Sequence, residues 1–274
     1  MKDKCLSSSL FNALAVGLIV FLAIGCTDSS ITVGSRVEVS STGSDNSQPA
    51  AQDYADETVQ FEINLVNHAR LSIESINGDI SIEGREDVTS IIVSAQKRVG
   101  STSQSDARNH IQDLKIEITD DEDEILISSH HEERSDRASY EINYVVLLPV
   151  DLEINLLHLN GDVFLTNVQA DVTIDLTNGF IDATLPVKDD REVQLAVVNG
   201  GIDVKIPSQT SASLSASVTN GLIEMMNLVL AVSDQAANAV EGLLGDGKGA
   251  IDLYVVNGTI VIEGIDSFDN HDCL

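Results

Sequence analysis

The sequence predicts an all-β fold, a parallel β-helix in which every coil carries an Asn-Gly pair. Three observations carry this prediction. Asn-Gly occurs six times, at Asn77-Gly78, Asn160-Gly161, Asn178-Gly179, Asn199-Gly200, Asn220-Gly221 and Asn257-Gly258. From Asn160 the pairs recur after 18, 21 and 21 residues, and the final step of 37 reads as two coils, one without the pair. Aligned on the Asn, the apolar positions coincide. Three places after it stand Ile80, Val163, Ile181, Ile202, Ile223 and Ile260, and six places before it Leu71, Ile154, Val172, Val193, Leu214 and Ile251. Intervening positions such as Ser72, Thr173, Gln194 and Asp252 are polar, which gives each segment the two-residue period of a strand with one buried face.

Two architectures share this pattern. Asn-Gly is the favoured type I′ hairpin turn, because both residues accept positive φ, and six hairpins would build an antiparallel β-sandwich. A repeat of nearly constant length and phase instead suits coils stacked about 4.8 Å apart, each pair above the last. In such a stack, buried Asn amides would bond from coil to coil as a ladder, as in steric zippers. The β-helix is the preferred expectation and the sandwich the alternative.

In chain order, Lys2 and Lys4 precede an apolar run from Leu10 to Gly25. That run is shorter than the roughly 20 residues that span a bilayer, so residues 1–25 read as a cleaved export signal. Cys26 follows Leu22, Ala23, Ile24 and Gly25, and this resembles a bacterial lipobox. The resemblance implies cleavage before Cys26, lipid attachment to it, and a membrane anchor. An ordinary secretory signal with Cys26 incidental is the other reading. Residues 26–57, rich in Ser, Thr, Gly, Asp and Gln, are expected to be a flexible tether, with the domain at 58–264 and a tail at 265–274.

Within the domain, "VQFEINL", "ARLSIESI", "DISIEG" and "SIIVSAQKRV" alternate as strands. The polar stretch from Ser101 to Leu114 allows a short helix. "KIEITDDEDEILISS" predicts two strands around an acidic loop, and "HHEERSDRAS" a second loop. "YEINYVVLLPVDLEINLL" leads into the dense repeat. "SDQAANAVEGLLGDGKG" reads as an insertion with a helical turn or two, and "AIDLYVVNGTIVIEG" as the last coil.

Composition narrows the function. The 274 residues hold 15 basic and 44 acidic side chains, a net −29. Loss of Lys2, Asp3 and Lys4 with the signal would leave 13 against 43, a net −30. Such a field repels nucleic acid. Trp is absent and aromatics make up 4% of the chain, so stacking platforms for sugars and bases are few. Cys5, Cys26 and Cys273 offer no internal disulfide framework, so the core must hold the domain together.

The repeat cores "INGDISIEG", "LNGDVFLTN", "TNGFIDATL", "VNGGIDVKI", "TNGLIEMMN" and "VNGTIVIEG" resemble the bacterial putative-adhesin family of β-strand-repeat proteins, whose repeats read "NGxIxV". The resemblance covers residues 58–264. It implies a right-handed β-helix at the cell envelope and a role in adhesion, and it supplies no catalytic residue.

Among candidate sites, Asp182, Asp203 and Glu224 share one phase on consecutive pairs and would form a carboxylate column. It could hold a cation, but carboxylates about 5 Å apart in water repel by under about 1 kcal/mol per pair, and the solvated-face reading is preferred. The run Asp120 to Glu124 lacks the ligand spacing of an EF-hand. His130 and His131, as neighbours on a strand, point to opposite faces and chelate poorly. His158 falls where later coils are apolar, which suits a partly buried or edge histidine. Lys188, Arg191 and Lys205 are the sparse cations of the dense repeat. No catalytic residue, metal or cofactor is expected. The sequence points to a lipid-anchored envelope protein that binds an unidentified protein or glycan ligand through its surface. The alternatives are a periplasm-facing partner or sensor, or a polysaccharide-active enzyme. Without Asp directly after Cys26, a Gram-negative host would sort it to the outer membrane.

Overall fold

The structure, a computed structural model, describes residues 31–36, 53–131 and 138–266. Cys26, the export segment and the tail from 267 lie outside the described residues. The strands are β1 (Ile31–Arg36), β2 (Asp53–Asn64), β3 (Arg70–Asn77), β4 (Ile80–Arg85), β5 (Ser90–Ser101), β6 (Leu114–Asp120), β7 (Glu124–His131) and β8 (Ser139–Pro149). They continue as β9 (Glu153–Asn160), β10 (Val163–Thr166), β11 (Val172–Thr184), β12 (Glu192–Pro207), β13 (Ala212–Met226), β14 (Leu230–Ala236), β15 (Ala239–Leu244) and β16 (Gly249–Ile265). One helix, α1 (Gln104–Asp113), follows β5.

The chain is all-β, and its repeat region pairs in parallel. Asn178 lies beside Asn199, Asn199 beside Asn257, and Asn220 beside Asn257, with the flanking residues in register on both sides. The pairs are therefore not hairpin turns. In β11, β12, β13 and β16 each lies inside one continuous strand. Burial explains what it does there. In β11 the buried residues are Val172, Ile174 and Leu176 before the pair, and Ile181 and Ala183 after it. The step from Leu176 to Ile181 is odd, so the period of two is reset at Asn-Gly. The strand bends into two arms, and each arm turns its apolar face to the same interior.

Only the glycine of each pair takes positive φ, from +114° at Gly78 to +155° at Gly221. At Gly258, with φ +150°, a Cβ would sit 1.5 Å from the Gly200 carbonyl oxygen. Glycine is required at the corner both by conformation and by the closeness of the coil below.

The sixteen described strands form one sheet bent at the corner, whose arms before the corner run β6-β7-β3-β9-β11-β12-β16-β13-β15-β14 and whose arms after it run β1-β2-β5-β8-β4-β10-β11-β12-β16-β13. Parallel strands occupy the middle of each. The outer members are antiparallel: β6 with β7, β13 with β15, β15 with β14, and β1-β2-β5-β8 in succession. The fold is thus a mixed β structure, parallel in the middle and antiparallel at its margins.

Several expectations are corrected. The 37-residue step is not two coils, and the segment expected to carry helical turns is the hairpin β14–β15. Its second strand, β15, pairs residue by residue with the arm Ala212–Ser217, which a helical turn could not do. The expected tether contains strand at 31–36 and at 53–57. Its polar residues enter the sheet because cations of β5 meet them: Arg98 Nε donates to Asp56 Oδ1 at 2.7 Å, and Lys97 pairs with Glu57.

A single apolar core runs through the stack, from Phe61 and Ile63 through Ile73, Ile82, Val146, Leu165, Ile181, Val204 and Ile262. Helix α1, capped by Ser103 Oγ accepting from Asp106 N at 3.2 Å, closes one side with Ala107 and Ile111. Beneath it, buried Lys97 pairs with Glu57 and donates to the carbonyls of Leu114 at 3.1 Å and Ile111 at 3.4 Å, meeting orphan acceptors at the helix end.

Candidate functional site: the asparagine ladder and its flanks

The six asparagines form one chain of amide hydrogen bonds. Asn77 Nδ2 donates to the Tyr140 carbonyl at 3.0 Å. Asn160 then donates to Asn77 at 2.9 Å, Asn178 to Asn160 at 2.7 Å, and Asn199 to Asn178 at 2.9 Å. The order then departs from the sequence: Asn257 donates to Asn199 at 2.9 Å, and Asn220 to Asn257 at 2.8 Å. The last strand, β16, has entered between β12 and β13.

The sequence leads one to expect a buried ladder, and this ladder lies at the surface. Asn178, Asn199, Asn220 and Asn257 are exposed, and Asn77 and Asn160 are half-buried. The corner turns outward, so a side chain at its apex cannot reach the interior. A second staple runs beside it: Asp79 N donates to Asn143 Oδ1 at 2.7 Å, Asp162 N to Asp79 Oδ1 at 2.9 Å, and Phe180 N to Asp162 Oδ1 at 2.9 Å.

Outward-facing apolar side chains line both flanks. Before the corner these are Leu157, Leu159, Val198 and Tyr254; after it, Phe164 and Phe180, with Val145 two strands from Phe164. Phe180 is 58% exposed and Leu157 57%. Phe180 lies over Gly201, whose Cβ, if present, would meet the ring at 3.0 Å. On the flank before the corner, Thr173, Asp175, Gln194, Ala196, Ser215, Ser217, Asp252 and Tyr254 line a shallow depression of about 260 Å³. Ala196 makes the dip between Asp175 and Tyr254, whose hydroxyl bonds Thr219 Oγ1 at 3.2 Å.

The carboxylate column is broken. Asp182 neighbours Asp203, but Val261 of β16 separates Asp203 from Glu224. Lys205 reaches Asp182 at 3.7 Å and supplies a positive charge there. Among the described residues no group of three His, Cys, Asp or Glu is placed to hold a metal ion.

His158 is buried inside the ladder, with Nδ1–H donating to the Ser75 carbonyl at 3.2 Å and Nε2 without a hydrogen-bond partner among the described residues. Burial, only partly offset by nearby carbonyls, holds its pKa below the ordinary histidine value. The ring of His68, which no sequence pattern singles out, is also shielded from solvent. Its Nδ1 accepts from Val66 N at 3.4 Å, so Nε2 donates to Asp120 Oδ1 at 2.9 Å. With both nitrogens engaged, it clamps the loop that holds it against the end of β6. The outward apolar residues also escape sequence reasoning, although Phe164 stands four places after its Asn, where other coils carry Ser81, Asp182 and Asp203.

No family model and no curated protein matches the chain by sequence. Solved structures do resemble it. A "putative cell adhesion protein" from Clostridium sporogenes aligns with a TM-score of 0.51 at 13% identity, over 78% of this chain and 100% of that one. A "putative adhesin" from Bacteroides fragilis aligns over 76% of this chain and 97% of that one, at 8% identity and a TM-score of 0.30. At 13% identity the likeness to the Clostridium sporogenes protein is one of fold alone.

Proposed function

We propose that the chain is an exported, lipid-anchored binding scaffold of the cell envelope, displayed for adhesion and without catalytic machinery. In this reading, Cys26 carries the anchor and the middle coils are a section of right-handed parallel β-helix that stiffens the display. The observation that carries it is the set of outward apolar side chains on the two flanks of the ladder. Leu157, Leu159, Phe164 and Phe180 contribute nothing to the interior, and large exposed side chains grouped on one rigid surface mark contact sites. The polar depression beside Tyr254 offers hydroxyls, carboxylates and one aromatic edge, a footprint suited to a small part of a glycan or a protein loop. The resemblance to adhesin folds is compatible with that use.

The test is protease shaving of intact cells of the native host, followed by detection of the domain. Its loss from intact cells supports surface display, and arrays of glycans and matrix proteins would then identify the ligand. Protection until the envelope is opened would overturn the adhesion reading and point to an internal partner, to be found by crosslinking.

A further inference from the structure

At one end of the stack the burial rule of the repeat fails. Three places after the Asn, residues Ile80, Val163, Ile181, Ile202 and Ile260 are all at most 2% exposed, and five places after it Ile82, Leu165, Ala183, Val204 and Ile262 are at most 1%. In β13 the same positions, Ile223 and Met225, are only half-buried. Around them Leu222 and Met226 are exposed, Leu228 and Leu230 half-buried, and Val229 is 89% exposed. The cause is a missing neighbour. β16 pairs with β13 along both arms, but on the other side β15 covers only Ala212–Ser217. Among the described residues, no strand lies on the apolar face or the outer backbone edge of the arm beyond the corner.

Beyond the N–H of Ile223, the edge is open in its hydrogen bonding as well among the described residues. Ile223 N donates at 3.2 Å to the carbonyl of Ala237, in the turn of the β14–β15 hairpin, so its N–H points away from β16. In a strand the direction alternates, so Met225 presents its N–H to that same side, beyond the turn's reach. The polar surroundings are acidic: Glu224 is exposed, Glu263 lies beside Met226, and Asp266 is exposed at the end of β16. A chain of net charge −29 repels its own copies, and its last eight residues add Asp269 and Asp272 with no Lys or Arg.

We propose that the edge of β13 from the Ile223 carbonyl to Met226 is a strand-addition site for an extended partner segment that alternates apolar residues with lysine or arginine. The apolar side chains would stack on Ile223 and Met225 as the next coil would, completing the core. The basic ones would fall on the outer face beside Glu224 and Glu263. Backbone bonds would give affinity, and the alternation would give selectivity. This surface lies at the end of the stack, beyond the terminal rung of the ladder, and does not depend on surface display.

The probe is a labelled heptapeptide alternating lysine and valine, titrated against the full chain in detergent and followed by fluorescence anisotropy. Controls are the peptide with glutamate for lysine and the lysine peptide N-methylated at alternate amides. The lysine peptide should bind about tenfold or more tighter than the glutamate one at about 0.1 M salt, and N-methylation should abolish binding. Met225→Pro should remove binding by blocking the edge. Should that variant fail to fold, Glu224→Lys, an exposed change, should narrow or reverse the preference between the two peptides. Binding that survives N-methylation and ignores Glu224→Lys would be adsorption to the acidic surface and would overturn the proposal. So would a concentration-dependent dimer abolished by Glu224→Lys, which would make a second copy the occupant. Binding that appears only after removal of residues 267–274 would make the tail the occupant and would equally overturn it.

Discussion

Replacing Asn199 with alanine isolates the energy of one interior rung. Asn199 donates to Asn178 at 2.9 Å and accepts from Asn257 at 2.9 Å, so two amide bonds go at once. Its φ is not positive, so alanine fits the backbone without strain, unlike a change at the neighbouring glycine. The rung is exposed, so the groups left behind reach water and no burial penalty follows. Each net bond is then worth about 0.5 to 1 kcal/mol, the low side of the usual range, and the variant should lose about 1 to 2 kcal/mol. The terminal rung Asn220 donates a single such bond, to Asn257 at 2.8 Å, and Asn220→Ala should cost about half as much. Urea unfolding of the full chain, followed by far-ultraviolet circular dichroism because Trp is absent, measures both. For a domain of this size the interior variant should melt about 2 to 8 °C lower. An interior rung no costlier than the terminal one would refute the reasoning, because the ladder would then be a coincidence of side chains stacked by the backbone alone.

Gly258→Ala should not yield a folded chain, since a Cβ 1.5 Å from the Gly200 carbonyl oxygen at φ +150° forces the coils apart; soluble, protease-resistant protein in expression trials would contradict this. At the buried Lys97–Glu57 pair, Glu57→Gln should cost about 3 kcal/mol. Lys97→Met should cost more, because it also strips the donor from the carbonyls of Ile111 and Leu114, and the two denaturation midpoints give the order. His158 has a lowered pKa through burial, so the folded state favours the neutral ring. Its contribution is complete above the unfolded value of about 6.5 and declines as pH falls from there toward the folded pKa, by up to about 1.4 kcal/mol per pH unit. His158→Leu, which places at this position the residue type of its paired neighbour Leu176, should flatten stability as pH falls below about 6.5, and an unchanged slope would assign the pH dependence to other groups.

Much of the middle of the fold is legible in the sequence because identical coils must repeat their buried positions: the spacing of Ile181, Ile202 and Ile260 from their asparagines is enough to place them in one column. The order of the coils is not legible. Asn220 and Asn257 carry the same signal, and nothing local to either says that β16 passes β13 to reach β12. The antiparallel hairpin β14–β15 is hidden by its Ala and Gly content, which imitates a weak helix when the pairing partner is ignored. The start of β2 reads as tether because Asp56 and Glu57 look solvated until Arg98 and Lys97 are placed opposite them. The apex position of the asparagines depends on the direction of the corner, which a period of two cannot express.

The insertion of β16 also dictates an order in time. A chain emerging from its amino terminus can stack β9, β11 and β12 as each appears, but the proper neighbour of β12 ends at Ile265 and arrives last. Until then β13 offers β12 the same pair and the same apolar phase as β16. The vacant berth therefore invites its wrong occupant first. Completion requires that β13, with its hairpin, be held off or displaced by one rung, which sets a late and slow step in assembly. A chain cut before Gly249 would settle with β13 in that berth, a shortened stack resembling the true one except for the strand it has lost.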